Sequence, residues 1–255
     1  MRIFPHIFFA LVCLSGLFPA RAFAQETLSI GVENKDWYSH YLWQGRTLVG
    51  LDPDIVRTVA GQLGYRIVFE PYPWSRVIRM AQDGTLDGVL DLALIRDREK
   101  RLHYVRTAIT TEQTTFWIRK GNDVPFDGKF SADLRLGLIR GADWTDRFAK
   151  MGTPTVQRFN SFEQAFQNLV AGRIDMFASY LAPTRYHAER LGFLDRIEPH
   201  TYTQPDMPYY LAFSGKPEHA RLARRFEEKL KEFYASPEYE ALKKKYAFRA
   251  RASQN

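Results

Sequence analysis

The feature that most constrains the fold of this chain is a repeated alternation of strand-like and helix-like segments. In the first run, strands are predicted at residues 28–32, 66–69 and 88–95, and helices at residues 52–63 and 74–82. The strand from Gly88 to Ile95 is almost entirely apolar, which is typical of a parallel sheet covered by helices. We therefore expect a small α/β unit in the first half of the chain.

The same rhythm begins again after residue 110. Strands are predicted at residues 136–139, 155–158 and 174–178, and helices at residues 144–150 and 161–171. Ser161 and Gln164 form a capping box at the start of the second of these helices. Two last helices, at residues 217–234 and 237–246, need a lobe to pack against. Since no long Pro/Ser linker separates the runs, the sequence predicts two α/β lobes joined by short crossovers.

The first predicted helix begins at the segment Gly50-Leu51-Asp52-Pro53-Asp54. Asp52 is placed to cap this helix, and Pro53 suits its first turn. Two carboxylates at such a spacing can resemble a catalytic pair, but helix capping is the better explanation of Asp52 and Asp54. We therefore expect structural roles for both side chains.

The amino terminus has the organisation of a secretory signal peptide, which we place at residues 1–25. Arg2 precedes an apolar run from Ile7 to Leu17, and Ala22-Phe23-Ala24 offers a cleavage site near Ala24. The run is shorter than the roughly 18 residues that a membrane-spanning helix needs. Cys13, the one cysteine, lies inside this run, so cleavage would remove all thiol chemistry from a secreted protein of about 230 residues.

The charge pattern and the missing motifs argue against several classes of functional site. Loss of Arg2 and Arg21 lowers the formal net charge from +7 to +5, and glutamates are interleaved with the basic residues between 221 and 251. That pattern indicates a solvated helix face rather than a nucleic-acid site. The histidines lack metal-ligand spacing, and neither a nucleophile elbow nor a phosphate loop occurs. We expect a monomer without metal, cofactor or catalytic constellation.

Six segments then occur in one characteristic order. They are Gly50-Leu51-Asp52-Pro53-Asp54 at a helix start, Trp74 at the second helix, Gly84-Thr85-Leu86-Asp87, the turn Arg96-Asp97-Arg98-Glu99-Lys100-Arg101, Leu136-Gly137-Leu138-Ile139-Arg140-Gly141, and Ala171-Gly172-Arg173-Ile174-Asp175. Over residues 27 to 248 this order resembles the family 3 periplasmic solute-binding proteins, the polar amino-acid binders of ABC importers. No single segment is decisive, but the complete order with a signal peptide is specific.

The resemblance implies a two-lobe, type II periplasmic binding protein fold with a ligand cleft between the lobes. It places lobe one at residues 26–109 and 211–250, and lobe two at residues 110–210, with crossovers near Ala108 to Thr114 and Pro205 to Tyr210. Closure of the lobes about these crossovers would bury a small ligand. The implied location is the periplasm, and the implied partner is an ABC permease.

The resemblance also implies candidate ligand-binding residues. Arg98 matches the arginine that clamps a ligand carboxylate, because a guanidinium offers two parallel donors; Arg96 and Arg101 compete for this role. Trp74 matches the aromatic platform, and Trp37 and Tyr38 lie where a second aromatic wall is expected.

Three departures from the family pattern affect the expected ligand. Ile95 stands where a hydroxyl is usual, and Ala142 and Asp143 stand where hydroxyls are usual. Tyr180 stands where a carboxylate normally receives the ligand's α-ammonium group. A phenol is a neutral partner, so an ammonium there would lose a charge-assisted hydrogen bond of roughly 1.5 to 3 kcal/mol. Either Asp143 or Asp206 supplies the missing charge, or the ligand is a carboxylate without an α-amino group.

Two other functions remain open at this point. Periplasmic dehydratases that act on cyclic carboxylates share this fold, and Asp143 would then be the candidate acid. The protein could also be a soluble sensor that presents its ligand to a membrane receptor. Neither alternative changes the expected fold.

Overall fold

Two lobes, each built on its own mixed β-sheet, make up the described part of the chain. The computed structural model describes residues 25–38, 40–140, 148 and 150–252. The predicted signal peptide and most of the helix predicted at residues 144–150 lie outside these residues.

Lobe one is built on a six-stranded sheet. Its strands are β1 (Glu26–Glu33), β4 (Tyr65–Tyr72), β5 (Gly88–Ala93), β6 (Leu102–Tyr104), β7 (Thr110–Glu112) and β13 (Met207–Ser214). They follow the order β4-β1-β5-β13-β6, and β7 also pairs with β13. Strands β4, β1 and β5 run parallel, whereas β13 is antiparallel to β5, β6 and β7. The sheet is therefore mixed rather than purely parallel.

Helices and a hairpin complete lobe one. The helices are α1 (Leu51–Gln62), α2 (Trp74–Gln82) and the short α3 (Arg96–Glu99), and the hairpin joins β2 (Leu42–Gln44) to β3 (Thr47–Val49). The predicted bounds of α2 are confirmed, and β5 ends two residues earlier than expected. All of β5 except Ala93 is buried, as its apolar sequence predicts.

The start of α1 differs from the expectation. Its N-cap is Gly50, and no side chain caps the helix. Gly50 has φ 153°, and a Cβ atom there would lie 2.1 Å from the carbonyl oxygen of His40. The helix therefore begins against the turn that carries His40, and glycine is needed for this close approach. The prediction that Asp52 caps the helix was wrong, because its side chain lies 2.9 Å from the ring of His40 instead.

Lobe two is built on a five-stranded sheet. Its strands are β8 (Thr114–Arg119), β9 (Arg135–Ile139), β10 (Thr155–Phe159), β11 (Met176–Tyr180) and β12 (Ile197–Thr203), in the order β10-β9-β11-β8-β12. Helices α4 (Phe162–Val170) and α5 (Leu181–Arg190) pack beside it. The Ser161 hydroxyl accepts a hydrogen bond from the amide of Gln164 at 3.2 Å, which confirms the predicted cap.

The chain passes between the sheets twice and then returns to lobe one. Gln113 alone separates β7 from β8, and residues 204–206 separate β12 from β13. The last helices, α6 (Pro217–Tyr234) and α7 (Pro237–Ala252), follow β13, and both contact α1. The two sheets are thus joined at one edge by neighbouring strands.

Candidate functional site

The candidate site lies where the parallel strands of the two sheets end. Residues 34–41 follow β1, α3 follows β5, and α5 follows β11. In open α/β sheets the carboxyl ends of the strands present side chains to a ligand cleft. Four of the six predicted site residues belong to these segments or to the start of α2, Tyr180 is the last residue of β11, and Asp143 lies outside the described residues.

Arg98 in α3 carries a charge that has no carboxylate partner among the described residues. Its guanidinium lies 3.5 Å from the carbonyl oxygen of Ala93, and no carboxylate in the described part of the chain is within ion-pair distance of it. The Tyr104 hydroxyl donates to the same carbonyl at 3.0 Å. Burial raises the pKa of Tyr104 to about 12, and Arg98 opposes that shift. A partly buried guanidinium of this kind is suited to bind an anionic group.

Trp74 lies near the same part of lobe one as Arg98. It is the first residue of α2, is partly buried, and packs with Tyr72 and Tyr210 against an apolar cluster that contains Tyr104. A second cationic group, the guanidinium of Arg76, lies 4.9 Å from the ring centre of Tyr72. Arg98 and Trp74 therefore flank one aromatic surface.

Trp37 and Tyr38 take part in contacts between the lobes. The Tyr38 ring stacks on Tyr186 of α5, with ring centroids 3.4 Å apart and planes 9° apart. The centroid of Trp37 lies 5.4 Å from that of Tyr180 and 4.9 Å from that of Tyr209. The structure thus brings Trp37, Tyr38 and Tyr180 together, on a surface apart from the contacts of Arg98 and Trp74.

Tyr180 ends β11, and its hydroxyl is hydrogen-bonded to the hydroxyl of Tyr209 on β13. Tyr209 is buried, and strand β13 belongs to the sheet of lobe one. The Tyr180 phenol therefore joins lobe two to the returning crossover. Asp206, the other candidate for an ammonium partner, is exposed on that crossover.

Sequence reasoning missed a cluster of buried ionisable groups beneath Trp37. His40, Asp52, Asp91 and Glu112 are at most 8% exposed. One nitrogen of the His40 ring bonds to Glu112, and the other lies 2.9 Å from Asp52. The available signal was Asp91, the charged residue within the otherwise apolar run from Gly88 to Ile95. No group of three or more His, Cys, Asp or Glu side chains among the described residues has an arrangement that could hold a metal ion.

The cluster has shifted protonation equilibria. Burial alone would lower the pKa of His40, but the hydrogen bonds and charges of Asp52 and Glu112 outweigh it and raise this pKa to about 10. Burial, reinforced by the charge of Asp52, raises the pKa of Asp91 well above its ordinary value. Burial also raises the pKa of Asp52, although His40 opposes that shift. At neutral pH His40 is therefore charged, and Asp91 is harder to ionise than an ordinary carboxyl group.

A cavity of about 330 Å³ lies at the opposite end of lobe one. It is lined by the start of β1 and by polar residues at the start of α6, among them Lys216, His219, Arg221 and Arg225. None of the predicted site residues borders it. The cavity is therefore separate from the candidate site.

Comparison with known proteins decides the family. The model of the bacterial extracellular solute-binding proteins, family 3, matches residues 28–250. The chain belongs to this family. Comparison with curated protein sequences gives no match. In the described part of this family 3 protein, no helix has the length and apolar character needed to cross a bilayer.

Solved structures share the fold of this family 3 protein at low sequence identity. An ancestral arginine-binding protein bound to arginine has a TM-score of 0.67 and 21% identity, over 86% of this chain and 97% of its own. A histidine kinase sensor domain with similarity to periplasmic binding proteins has a TM-score of 0.67 and 18% identity, over 87% and 96%. An ancestral amino acid-binding protein, a precursor of cyclohexadienyl dehydratase, has a TM-score of 0.63 and 20% identity, over 86% and 94%. These likenesses show the two-lobe fold.

Proposed function

We propose that this protein captures a small carboxylate-bearing ligand between its lobes in the periplasm and delivers it to an ABC permease. The family membership supports solute binding. The observation that carries the ligand class is Arg98, because its guanidinium lies at the end of β5 without a carboxylate partner among the described residues. Trp74, Trp37 and Tyr38 supply aromatic surface on the same lobe.

An α-ammonium group on the ligand would need a partner other than Tyr180. Tyr180 is already bonded to Tyr209, and a phenol does not neutralise an ammonium group. Asp143 or Asp206 would have to bind the α-ammonium of an amino acid. A carboxylate without an α-amino group would need neither residue.

The experiment is a thermal-shift screen over amino acids, opines, polyamines and small carboxylates. A ligand at 100 times its Kd should stabilise the protein by about 2.7 kcal/mol. Titration calorimetry of the best ligand then compares Arg98→Ala with Arg101→Ala. Loss of a partly buried charge partner should weaken carboxylate binding about 30-fold or more for Arg98→Ala, and Arg101→Ala tests the exposed arginine that competes for this role. An unchanged Kd in Arg98→Ala would disprove the assigned role.

A sensor function is the second candidate, because a histidine kinase sensor domain has the same fold. In this case the protein would bind its ligand equally well and pass the signal to a membrane receptor. Copurification from membranes with permease subunits supports import, and copurification with a receptor kinase supports sensing. Chemical conversion of a cyclic carboxylate during incubation would instead support the dehydratase-like alternative, for which the ancestral precursor provides a structural precedent.

A further inference from the structure

His40 connects three parts of lobe one at a single buried ring. It lies in the turn after β1, where its amide donates to the carbonyl of Trp37 at 3.0 Å. Its Nδ1 atom lies 2.9 Å from Asp52 in α1 and 2.9 Å from the hydroxyl of Thr110 in β7. Its Nε2 atom bonds to Glu112, also in β7. The ring thus connects the first crossover strand, β7, to helix α1 in the core of lobe one.

The strand that His40 holds is the one that leads into lobe two. The residue after Glu112 is Gln113, whose carbonyl accepts a hydrogen bond from the amide of Leu181 in α5 at 3.0 Å. Strand β7 also pairs with the returning strand β13, where Glu112 lies opposite Met207. Any rotation of lobe two against lobe one must therefore act on the segment that contains Glu112.

A second path leads from His40 to lobe two through Trp37. The two rings lie edge to face with centroids 4.9 Å apart. Trp37 in turn contacts Tyr209 on the returning crossover and Tyr180 in lobe two. Glu112 therefore links His40 to the first crossover, and Trp37 links it to the returning crossover and to lobe two.

The charge of His40 is needed for this arrangement. Two carboxylates approach one imidazole in a region where water is excluded, since Asp52 is 0% and Glu112 is 4% exposed. A neutral imidazole donates only one hydrogen bond, whereas the charged ring donates from both nitrogens. Both oxygens of Asp52 lack a hydrogen bond among the described residues, so the charged ring stabilises this carboxylate through its charge. Removal of the proton would leave two buried carboxylates beside a neutral ring, which is strongly unfavourable.

We propose that protonated His40 holds Glu112 and strand β7 against lobe one at the hinge. When His40 loses its proton, the two lobes move apart. This inference rests on the opening and closing of the lobes in the proposed function. It assigns the control of that motion to groups outside the ligand site.

Other titratable groups surround the cluster and set its charge balance. Asp91 contributes a carboxyl group from β5, and both of its oxygens are buried without a hydrogen-bond partner among the described residues. Tyr41, Tyr234 and Tyr239 face the carboxylates as neutral phenols, and Glu33 and Asp36 add negative charge near Tyr41. The charges of Asp52 and Glu112 act on His40 itself and both favour its protonated form, whereas Lys243 adds a positive charge beside Tyr239.

The test measures the distance between the lobes without any ligand. Spin labels are attached through Arg79→Cys in α2 and Arg158→Cys in β10, two exposed positions, with Cys13→Ser in the same chain. Distance distributions are recorded by pulsed electron resonance from neutral to alkaline pH for the parent, His40→Gln and Glu112→Gln. The matched control is His219→Gln, because His219 is also buried and bonded, to Ser214 at 2.8 Å, but Ser214 lies at the opposite end of β13 from residues 207–209, which pair with β7.

The parent and His219→Gln should show the same distances at neutral pH and should shift to longer distances as the pH rises through about 10. Glu112→Gln should show this shift about 1–3 pH units lower, because one of the two charges that stabilise the imidazolium is gone. His40→Gln should give long distances at every pH. Circular dichroism confirms that each sample remains folded.

An unchanged midpoint in Glu112→Gln would overturn the proposal, and so would short distances in folded His40→Gln. If His40→Gln does not fold, the midpoint of Glu112→Gln decides. Unfolding of the parent before any change in distance also counts against the proposal. Failure of the ligand screen would leave these distances unaffected, so the two proposals fail separately.

Discussion

The two lobes differ in the polar groups that they bury. Lobe one and its first crossover strand enclose His40, Asp52, Asp91, Glu112, Ser214 and His219, whereas the buried polar side chains in the described part of lobe two, apart from aromatic residues, are Thr114, Thr115, Ser179 and Thr184. Hydroxyl groups keep one charge state over the ordinary pH range, but carboxyl and imidazole groups do not. We therefore expect pH to change the stability of this protein mainly through groups in lobe one.

The largest expected effect tests the apolar core of lobe two. Phe166 is fully buried, with ring centroids 5.9 Å from Phe177 and 5.5 Å from Phe193. Phe166→Ala should lower the free energy of unfolding by about 3–5 kcal/mol. Urea denaturation should give the same loss at mildly acidic and mildly alkaline pH, and Phe162→Ala, at a partly buried position, should lose less. A loss of unfolding free energy that varies with pH would contradict the proposed difference between the lobes.

The next prediction concerns the acidic core of lobe one. The raised pKa of Asp91 means that the folded state holds a proton that the unfolded state releases, so this residue's contribution to stability falls as the pH rises above 3.8. Asp91→Asn should therefore raise the free energy of unfolding by about 1 kcal/mol or more at mildly alkaline pH. Asparagine also accepts the backbone angle φ 55° at this position.

The same urea series at several pH values measures this effect. The gain should shrink as the pH falls towards the ordinary range of a carboxyl group. Asp133→Asn, at an exposed position of lobe two, should change stability by less than about 0.5 kcal/mol at any pH. Destabilisation by Asp91→Asn at alkaline pH would show that the carboxylate is ionised and paired in the folded state.

A smaller effect is expected where the lobes meet. Tyr38 and Tyr186 stack across the lobes, so a double-mutant cycle of Tyr38→Ala and Tyr186→Ala should give a coupling energy of about 0.5–1.5 kcal/mol. The free energy of unfolding from urea denaturation is the measured quantity. Tyr65→Ala combined with Tyr186→Ala should be additive. Absence of coupling between Tyr38 and Tyr186 would mean that the stack does not hold the lobes together in solution.

The smallest expected effect concerns Asp175 in lobe two, whose contribution to stability changes with pH in the opposite direction to that of Asp91. Asp175 at the edge of lobe two accepts hydrogen bonds from the side chain and the amide of Arg135. The side-chain hydrogen bond from Arg135 is the main cause that lowers the pKa of Asp175, so its contribution is present above pH 3.8 and is lost as the pH falls through its folded-state pKa. Asp175→Asn should cost at most about 1 kcal/mol at neutral pH and less in acid. A cost that increases on acidification would contradict this sign.

Local signals in the sequence were enough for most of the secondary structure. The bounds of α2 and α6 agree with their predictions, because an aromatic or proline start and a clear apolar stripe define each helix. The cap at Ser161 depends on residues three positions apart and was equally predictable. Strand β13, which makes the sheet of lobe one mixed, needs partners far away in the chain and was not predicted.

The site was less predictable for the same reason. The resemblance of its turn to the family pattern indicates Arg98 as a candidate, but His40 and Glu112 are 72 positions apart, and nothing local shows that they meet. Asp52 was assigned to a helix cap because capping is the common local use of aspartate, whereas the tertiary fold places it against an imidazole. The bond between Tyr180 and Tyr209 likewise depends on how the lobes meet.

The pairing of the two crossover strands determines how the molecule can move. Because β7 and β13 are hydrogen-bonded to each other, the two crossover strands bend together as one unit and not as two independent connections. Lateral sliding would break these hydrogen bonds, so the easiest displacement is a swing along one arc. A pair of fluorescent dyes placed across that arc should report occupancy with a single calibration curve, which makes the scaffold suitable for an optical sensor.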